Sequence, residues 1–111
     1  MKDLSACVLI MTAVPDLLTA KRIAHQTVEH GMAACAHISP AGLSVYMWEG
    51  KLQAESEMQL LIKTTQAKQE ACVQEIKLAH PYEIPEIVVM PIVGGLPEYL
   101  SWVAKEVASH D

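Results

Sequence analysis

Two hydrophobic periods alternate along this chain. From Leu4 to Ala13 the residues are mostly apolar, ended by Val14-Pro15-Asp16, which suits a strand buried on both faces. Pro15 and Asp16 then open a helix, because proline is tolerated in the first turn and an acidic group there favours the dipole. Leu17, Ala20, Ala24, Thr27, Val28 and Gly31 recur at helical spacing, while Lys21, Arg22, Gln26 and Glu29 fall largely outside that stripe. Gly31 suits a C-cap. Ala33 to Ser39 reads as a second strand, interrupted near Pro40-Ala41-Gly42 and resumed from Leu43 to Trp48. Glu49-Gly50-Lys51 predicts a hairpin turn. In the third strand Leu52, Ala54, Met58, Leu60 and Ile62 share one face, with Ser56 the exception. Glu55, Glu57, Gln59 and Lys63 share the other, interrupted by Leu61. Thr65 is placed to cap a second helix with the stripe Ala71, Cys72, Val73, Ile76 and Ala79. Ile87 to Val93 predicts a fourth strand broken by Gly94-Gly95, and Pro97 starts a last helix with Tyr99, Leu100, Trp102 and Val103.

The order βαββαβ plus a terminal helix predicts an α+β, ferredoxin-like domain spanning residues 1–111. Right-handed crossovers place both main helices on one sheet face. The opposite face is expected to be polar in a monomer, yet strands one and four are apolar on both sides. Cys7, Leu9 and Met11 oppose Ala6, Val8 and Ile10; Ile87 and Val89 oppose Val88, Met90 and Ile92. Large exposed apolar patches are uncommon on monomers, so the pattern predicts a homo-oligomer.

Composition narrows the function. The formal net charge is −5 and Arg22 is the single arginine, which argues against nucleic acid, whose phosphates need clustered Lys and Arg. Cys7, Cys35 and Cys72 form no CxxC pair, so a structural zinc site of the usual spacing is not expected. They read as buried thiols in a reducing compartment. Ala6 to Val14 imitates a signal-peptide core, and Leu4-Ser5-Ala6-Cys7 imitates a lipoprotein cleavage site. Only six residues precede Cys7, however, and Asp3 spoils the basic leader. No apolar run has membrane-spanning length. The expected location is cytoplasmic, with no membrane partner.

Chemistry concentrates in His80-Pro81-Tyr82-Glu83-Ile84-Pro85-Glu86. Each proline pushes the residue before it toward extended geometry, so the backbone is stiff where an imidazole, a phenol and carboxylates gather. Imidazole suits copper, zinc and nickel, making His80 the leading metal candidate. The competing reading has His80 ending a helix and bonding its last-turn carbonyls. His25 and His30 are five apart and read as solvent-facing, and His110 is near the chain end. Cys35 and His37 can share one side of a strand. Trp48, Glu57, Lys63, Tyr82 and Glu86 are the residues expected to line a cleft between subunits, although Glu57, Lys63 and Glu86 also suit interface ion pairs.

Six pieces in order resemble the CutA family of divalent-cation tolerance proteins. They are Thr12-Ala13-Val14-Pro15-Asp16, Met32-Ala33-Ala34-Cys35, Tyr46-Met47-Trp48-Glu49-Gly50-Lys51, Leu61-Ile62-Lys63-Thr64, His80-Pro81-Tyr82-Glu83-Ile84-Pro85-Glu86-Ile87 and Tyr99-Leu100-Ser101-Trp102. The similarity runs from about Val8 to Val107. The resemblance implies a homotrimer of ferredoxin-like subunits with a PII-like architecture. It also implies a function in the response to metal ions, with copper or another divalent cation as partner. His80 matches the family position associated with copper. Ala79 stands where some relatives carry a second histidine, and Met11, which aligns with a cysteine of some relatives, is the second candidate ligand.

No catalytic residue is expected. Val14-Pro15-Asp16 stands where an acyl phosphate hydrolase needs an arginine-bearing anion loop, and Cys35 with His37 is the one pair worth testing. The alternatives to metal tolerance are a PII-like sensor binding a small anionic metabolite between subunits, or a scaffold whose value is the trimer itself.

Overall fold

A computed structural model describes residues 6–108 of the chain. Asp3, Leu4, Ser5 and His110, which enter the sequence reading, lie outside them. The elements run β1 (Cys7–Val14), α1 (Leu17–Glu29), β2 (Cys35–Trp48), β3 (Lys51–Thr65), α2 (Gln69–Ala79), β4 (Ile87–Pro91) and α3 (Pro97–Ala108). The four strands form one antiparallel sheet in the order β2-β3-β1-β4. This is the expected ferredoxin-like plan with its added helix.

Register separates the two faces. Ile10 lies between Ile62 and Val89, and Thr12 between Leu60 and Ile87. On this side Ile10, Val14, Leu60 and Ile62 pack with Ala20, Ile23 and Ala24 of α1 and with Cys72 and Ile76 of α2. The buried stripe of α1 is Thr19, Ala20, Ile23, Ala24 and Thr27. It is therefore rotated from the expected one: Leu17 is 46% exposed, and Ile23 is in the core instead. Asp16 is the N-cap, its carboxylate accepting the Thr19 N–H at 2.8 Å. That hydrogen bond holds the Asp16 carboxyl below its usual pKa. Gly31 ends the helix with φ +72°, the left-handed geometry that favours glycine.

Several boundaries differ from expectation for local reasons. β2 is one strand, with a bulge between Ser39 and Gly42 in place of a break. Pro40, at the bulge, has no N–H to give to a regular ladder. One extra residue on β2 flips its alternation. Cys35, His37 and Ser39 share the face of Lys63, Leu61 and Gln59, while Gly42, Ser44, Tyr46 and Trp48 share that of Glu57, Glu55, Gln53 and Lys51. Thr65 does not cap α2. It stays in β3 opposite Cys7, and a turn precedes a helix whose N-cap, Lys68, makes no side-chain cap bond. The predicted turn between β2 and β3 has Glu49 at φ +50° and Gly50 at φ +77°, the paired positive angles of a tight hairpin.

The second sheet face is only partly covered. α3 crosses it, burying Val103 and Val107 against Cys7 and Ala34. Past α3, Leu9 and Met11 are half-buried, and their neighbours Met90 and Val88 are 37% and 44% exposed. The β2–β3 hairpin runs on beyond the helix layer and stretches the molecule to 44 Å against widths of 26 and 22 Å. Leu43, Met47 and Leu52 are therefore largely exposed although their face is the one the helices cover lower down.

The Cys72 thiol is pushed up to about 12, first by burial and then by Glu75, which fits an inert core cysteine. At the far side of the helix layer His30, which caps α1, meets Glu75 of α2 through Nδ1 and Oε1. His30 is exposed, as expected, but it is paired. The Glu75 hydrogen bond, and then its charge, raise the His30 pKa above the usual 6.5. The charged ring is thus favoured in the folded state, so its contribution is fully present below about pH 6.5 and is lost as pH rises through the raised value. In urea titrations between mildly acidic and mildly alkaline pH, the wild-type midpoint should fall relative to His30→Gln as pH rises. Parallel curves for the two proteins would show that the clasp contributes nothing.

Candidate functional site

The site begins where α2 stops. Pro81 disfavours helical geometry for His80, which adopts φ −82° and ψ 134° and leads the chain back toward the sheet. Arg22 of α1 holds the same end, its Nη2 donating to the Ala79 carbonyl at 3.1 Å. The His80 ring is buried, and both of its nitrogens are engaged. Nε2 lies 2.7 Å from the carbonyl oxygen of Ala13 at the end of β1. The Tyr82 backbone N–H donates to Nδ1 at 3.2 Å. A carbonyl only accepts and an amide N–H only donates, so the ring is the neutral Nε2–H tautomer. The His80 ring therefore does not bond last-turn carbonyls, although the backbone N–H of His80 donates to the Lys77 carbonyl at 3.3 Å; the ring ties α2 to β1 across 67 positions.

Tyr82 follows from this tie. Its ring packs on His80 with centroids 4.8 Å apart. Its hydroxyl donates to Glu57 Oε2 on β3 at 2.8 Å. Burial, then the Glu57 carboxylate, raise the Tyr82 phenol well above its usual pKa. Tyr46 is raised too, by burial and then by Glu55 and Glu57. These groups wall two adjoining cavities. One, of about 370 Å³, is lined by Ala13, Tyr46, Glu57, Tyr82, Ile84 and Glu86 among others. The second, of about 280 Å³, is lined by Tyr46, Trp48, Tyr82, Glu83 and Ile84. Among the described residues no Lys, Arg or His lines either one.

Four of the five expected cleft residues thus converge: Glu57, Tyr82 and Glu86 line one cavity, and Trp48 lines its neighbour. Lys63 lies elsewhere in the chain. It is six residues from Glu57 on β3, about 20 Å away at strand spacing. Its Nζ sits 5.5 Å from the centroid of the Tyr99 ring of α3. Cys35 Sγ is 3.5 Å from the Tyr99 hydroxyl, while His37 is exposed opposite Leu61. Tyr46, Glu83 and Ile84 also line the walls. The sequence signal for Tyr46 is its spacing of two from Trp48, which puts both rings on one side of the hairpin.

A copper ion does not fit the His80–Met11 pair within one chain. Both imidazole nitrogens are committed, and Met11 occupies the second sheet face between Leu61 and Val88. Among the described residues no three His, Cys, Asp or Glu side chains gather in a way that would hold a metal ion.

Comparison with known proteins gives a consistent result. Residues 8–106 match the family model described as CutA1 divalent ion tolerance protein. The chain is 41% identical over 105 residues to the divalent-cation tolerance protein CutA of Pectobacterium atrosepticum, covering 93% of this chain and 96% of that one. It is 40% identical over 99 residues to its Escherichia coli counterpart, covering 89% and 88% of the two chains. The crystal structure of CutA from Xylella fastidiosa superposes with a TM-score of 0.90 at 37% identity, covering 92% of this chain and 98% of that one.

Removing the His80 ring should leave a cavity and unpair both the Ala13 carbonyl and the Tyr82 amide, so His80→Ala is expected to cost about 3 kcal/mol of unfolding free energy. Tyr82→Phe removes one half-exposed hydrogen bond and should cost about 1 kcal/mol. Urea denaturation measures both. Equal losses would show that the imidazole is not the tie described here.

Proposed function

This chain belongs to the CutA1 divalent ion tolerance family, and on that footing we propose that it serves tolerance of divalent cations as a cytoplasmic homotrimer. It engages copper or another divalent ion weakly, through the carboxylates beside the His80 segment. The supporting observation is that Glu57 and Glu86 line one cavity while the buried imidazole has no lone pair to offer. Oxygen donors bind hard ions, and among divalent ions the general affinity order still favours Cu²⁺. Two carboxylates make a weak site, and further donors come from neighbouring copies.

Self-association is supported by the half-covered second face and by the exposed Leu43, Met47 and Leu52 of the hairpin. A cytoplasmic location is supported by Cys7, Cys35 and Cys72, which form no disulfide among the described residues. An anionic metabolite suits the cavities poorly, because their charged groups are carboxylates.

Light scattering should give three times the 12.2 kDa mass of the chain. Calorimetric titration of that oligomer with Cu²⁺ and Zn²⁺ should show saturable binding that drops at least tenfold in the Glu57→Gln, Glu86→Gln double variant. His80→Gln removes no proposed ligand and should lose less affinity than the double variant once folding is verified. The reverse pattern would place the ion on the imidazole, and no saturable binding by wild type would end the direct-metal reading.

A further inference from the structure

We propose that the smaller cavity, between the hairpin and the His80 segment, binds a small organic cation of the methylated-ammonium class. Three of its five lining residues are aromatic: Tyr46, Trp48 and Tyr82. The negative faces of such rings attract a diffuse cation, best where the rings are fixed and partly desolvated. These rings are fixed from two sides. Tyr46 and Trp48 sit two apart on β2, facing one way. Tyr82 is held by its hydroxyl on Glu57 and its amide on His80. Donating that hydroxyl to a carboxylate also pushes electron density into the ring and strengthens its negative face.

Charge selects the sign of the ligand. Glu83 lines the recess, and Glu57 and Glu86 line the larger cavity that shares its Tyr46 and Tyr82 walls. Lys51 pairs with Trp48 across the hairpin but does not line the recess. A volume of about 280 Å³ suits a ligand of few atoms. Glu83 alone among the lining side chains is a strong metal donor, so a bare ion would give up its water for little return. A methylated ammonium carries its charge on an apolar surface, desolvates easily and can touch all three rings. The proposal does not require metal binding at Glu57 and Glu86.

The test uses the full-length protein in its native assembly, with choline and tetramethylammonium as probes. The neutral control is 3,3-dimethyl-1-butanol, which keeps the shape of choline and removes its charge. Calorimetry on wild type should show saturable binding of both cations at millimolar concentration or below, with the neutral compound at least tenfold weaker. In a Trp102→Phe background Trp48 is the remaining tryptophan, and the cations should change its fluorescence with the same affinity. Tyr82→Phe keeps the ring but loses its hydroxyl anchor and should weaken binding by less than tenfold, whereas Tyr82→Leu and Trp48→Leu should each lose at least tenfold. Circular dichroism and light scattering verify that each variant folds and assembles. Equal binding of the neutral isostere, no saturation by either cation at tens of millimolar, or unchanged affinity in folded Trp48→Leu would overturn the proposal. Failure of the Cu²⁺ and Zn²⁺ titrations would leave it standing.

Discussion

A neutral imidazole with both nitrogens committed is the constraint on which the site depends. His80 gives its one proton to the Ala13 carbonyl and accepts the Tyr82 amide, so it fixes three pieces of chain at once. The end of α2 is pinned to the end of β1, and the next residues are aimed across the sheet edge. Tyr82 then reaches Glu57, and the walls of both cavities follow. Pro81 and Pro85 stiffen the same segment by narrowing the backbone choices of His80 and Ile84. A ring used this way cannot also coordinate an ion without giving up the contact that positions the site. This is the physical reason for locating any metal chemistry on the neighbouring carboxylates.

The second constraint is a sheet with two apolar faces. α1 and α2 cover one, and α3 covers only the end of the other near Cys7 and Ala34. What remains is a strip through Leu9, Met11, Val88 and Met90. A single chain gains nothing from exposing such a surface, since burial contributes roughly 25 cal/mol per Å² of apolar area. None of these four residues lines the cavities by the hairpin, whose walls at Tyr82 are fixed within the chain by the His80 tie.

Most of the fold was legible because period and punctuation agreed. The run ended by Val14-Pro15-Asp16, the Gly31 stop, the Glu49-Gly50 turn and the Pro97 start all fall where the elements change. The bulge was harder to read, because Pro40-Ala41-Gly42 suggests a break as readily as an inserted residue in a continuous ladder. Thr65 misled for a similar reason. Its hydroxyl suits a cap, but its place in the β1–β3 ladder opposite Cys7 is a long-range fact that no local signal carries. For the site, the sequence identified the residues better than their jobs. Trp48, Glu57, Tyr82 and Glu86 line adjoining cavities within one chain, yet Lys63, on the same strand as Glu57, lies far along it beside Tyr99 of α3. The partner of His80 was invisible because Ala13 contributes only a backbone oxygen.

The two cavities share Tyr46, Tyr82 and Ile84, so their occupants cannot be independent. A divalent ion drawn to Glu57 competes with the Tyr82 hydroxyl for the same carboxylate. It also pulls electron density away from the phenol and weakens the ring face that would hold an organic cation. Two positive ligands in adjoining cavities repel each other as well. All three effects have the same sign, so an ion in the larger cavity, if bound there as proposed, would lower affinity in the smaller one, and by linkage the organic cation would lower affinity for the ion equally. No movement of the backbone is needed. The coupling runs through one hydrogen bond, Tyr82 to Glu57, whose geometry the His80 tie sets in advance.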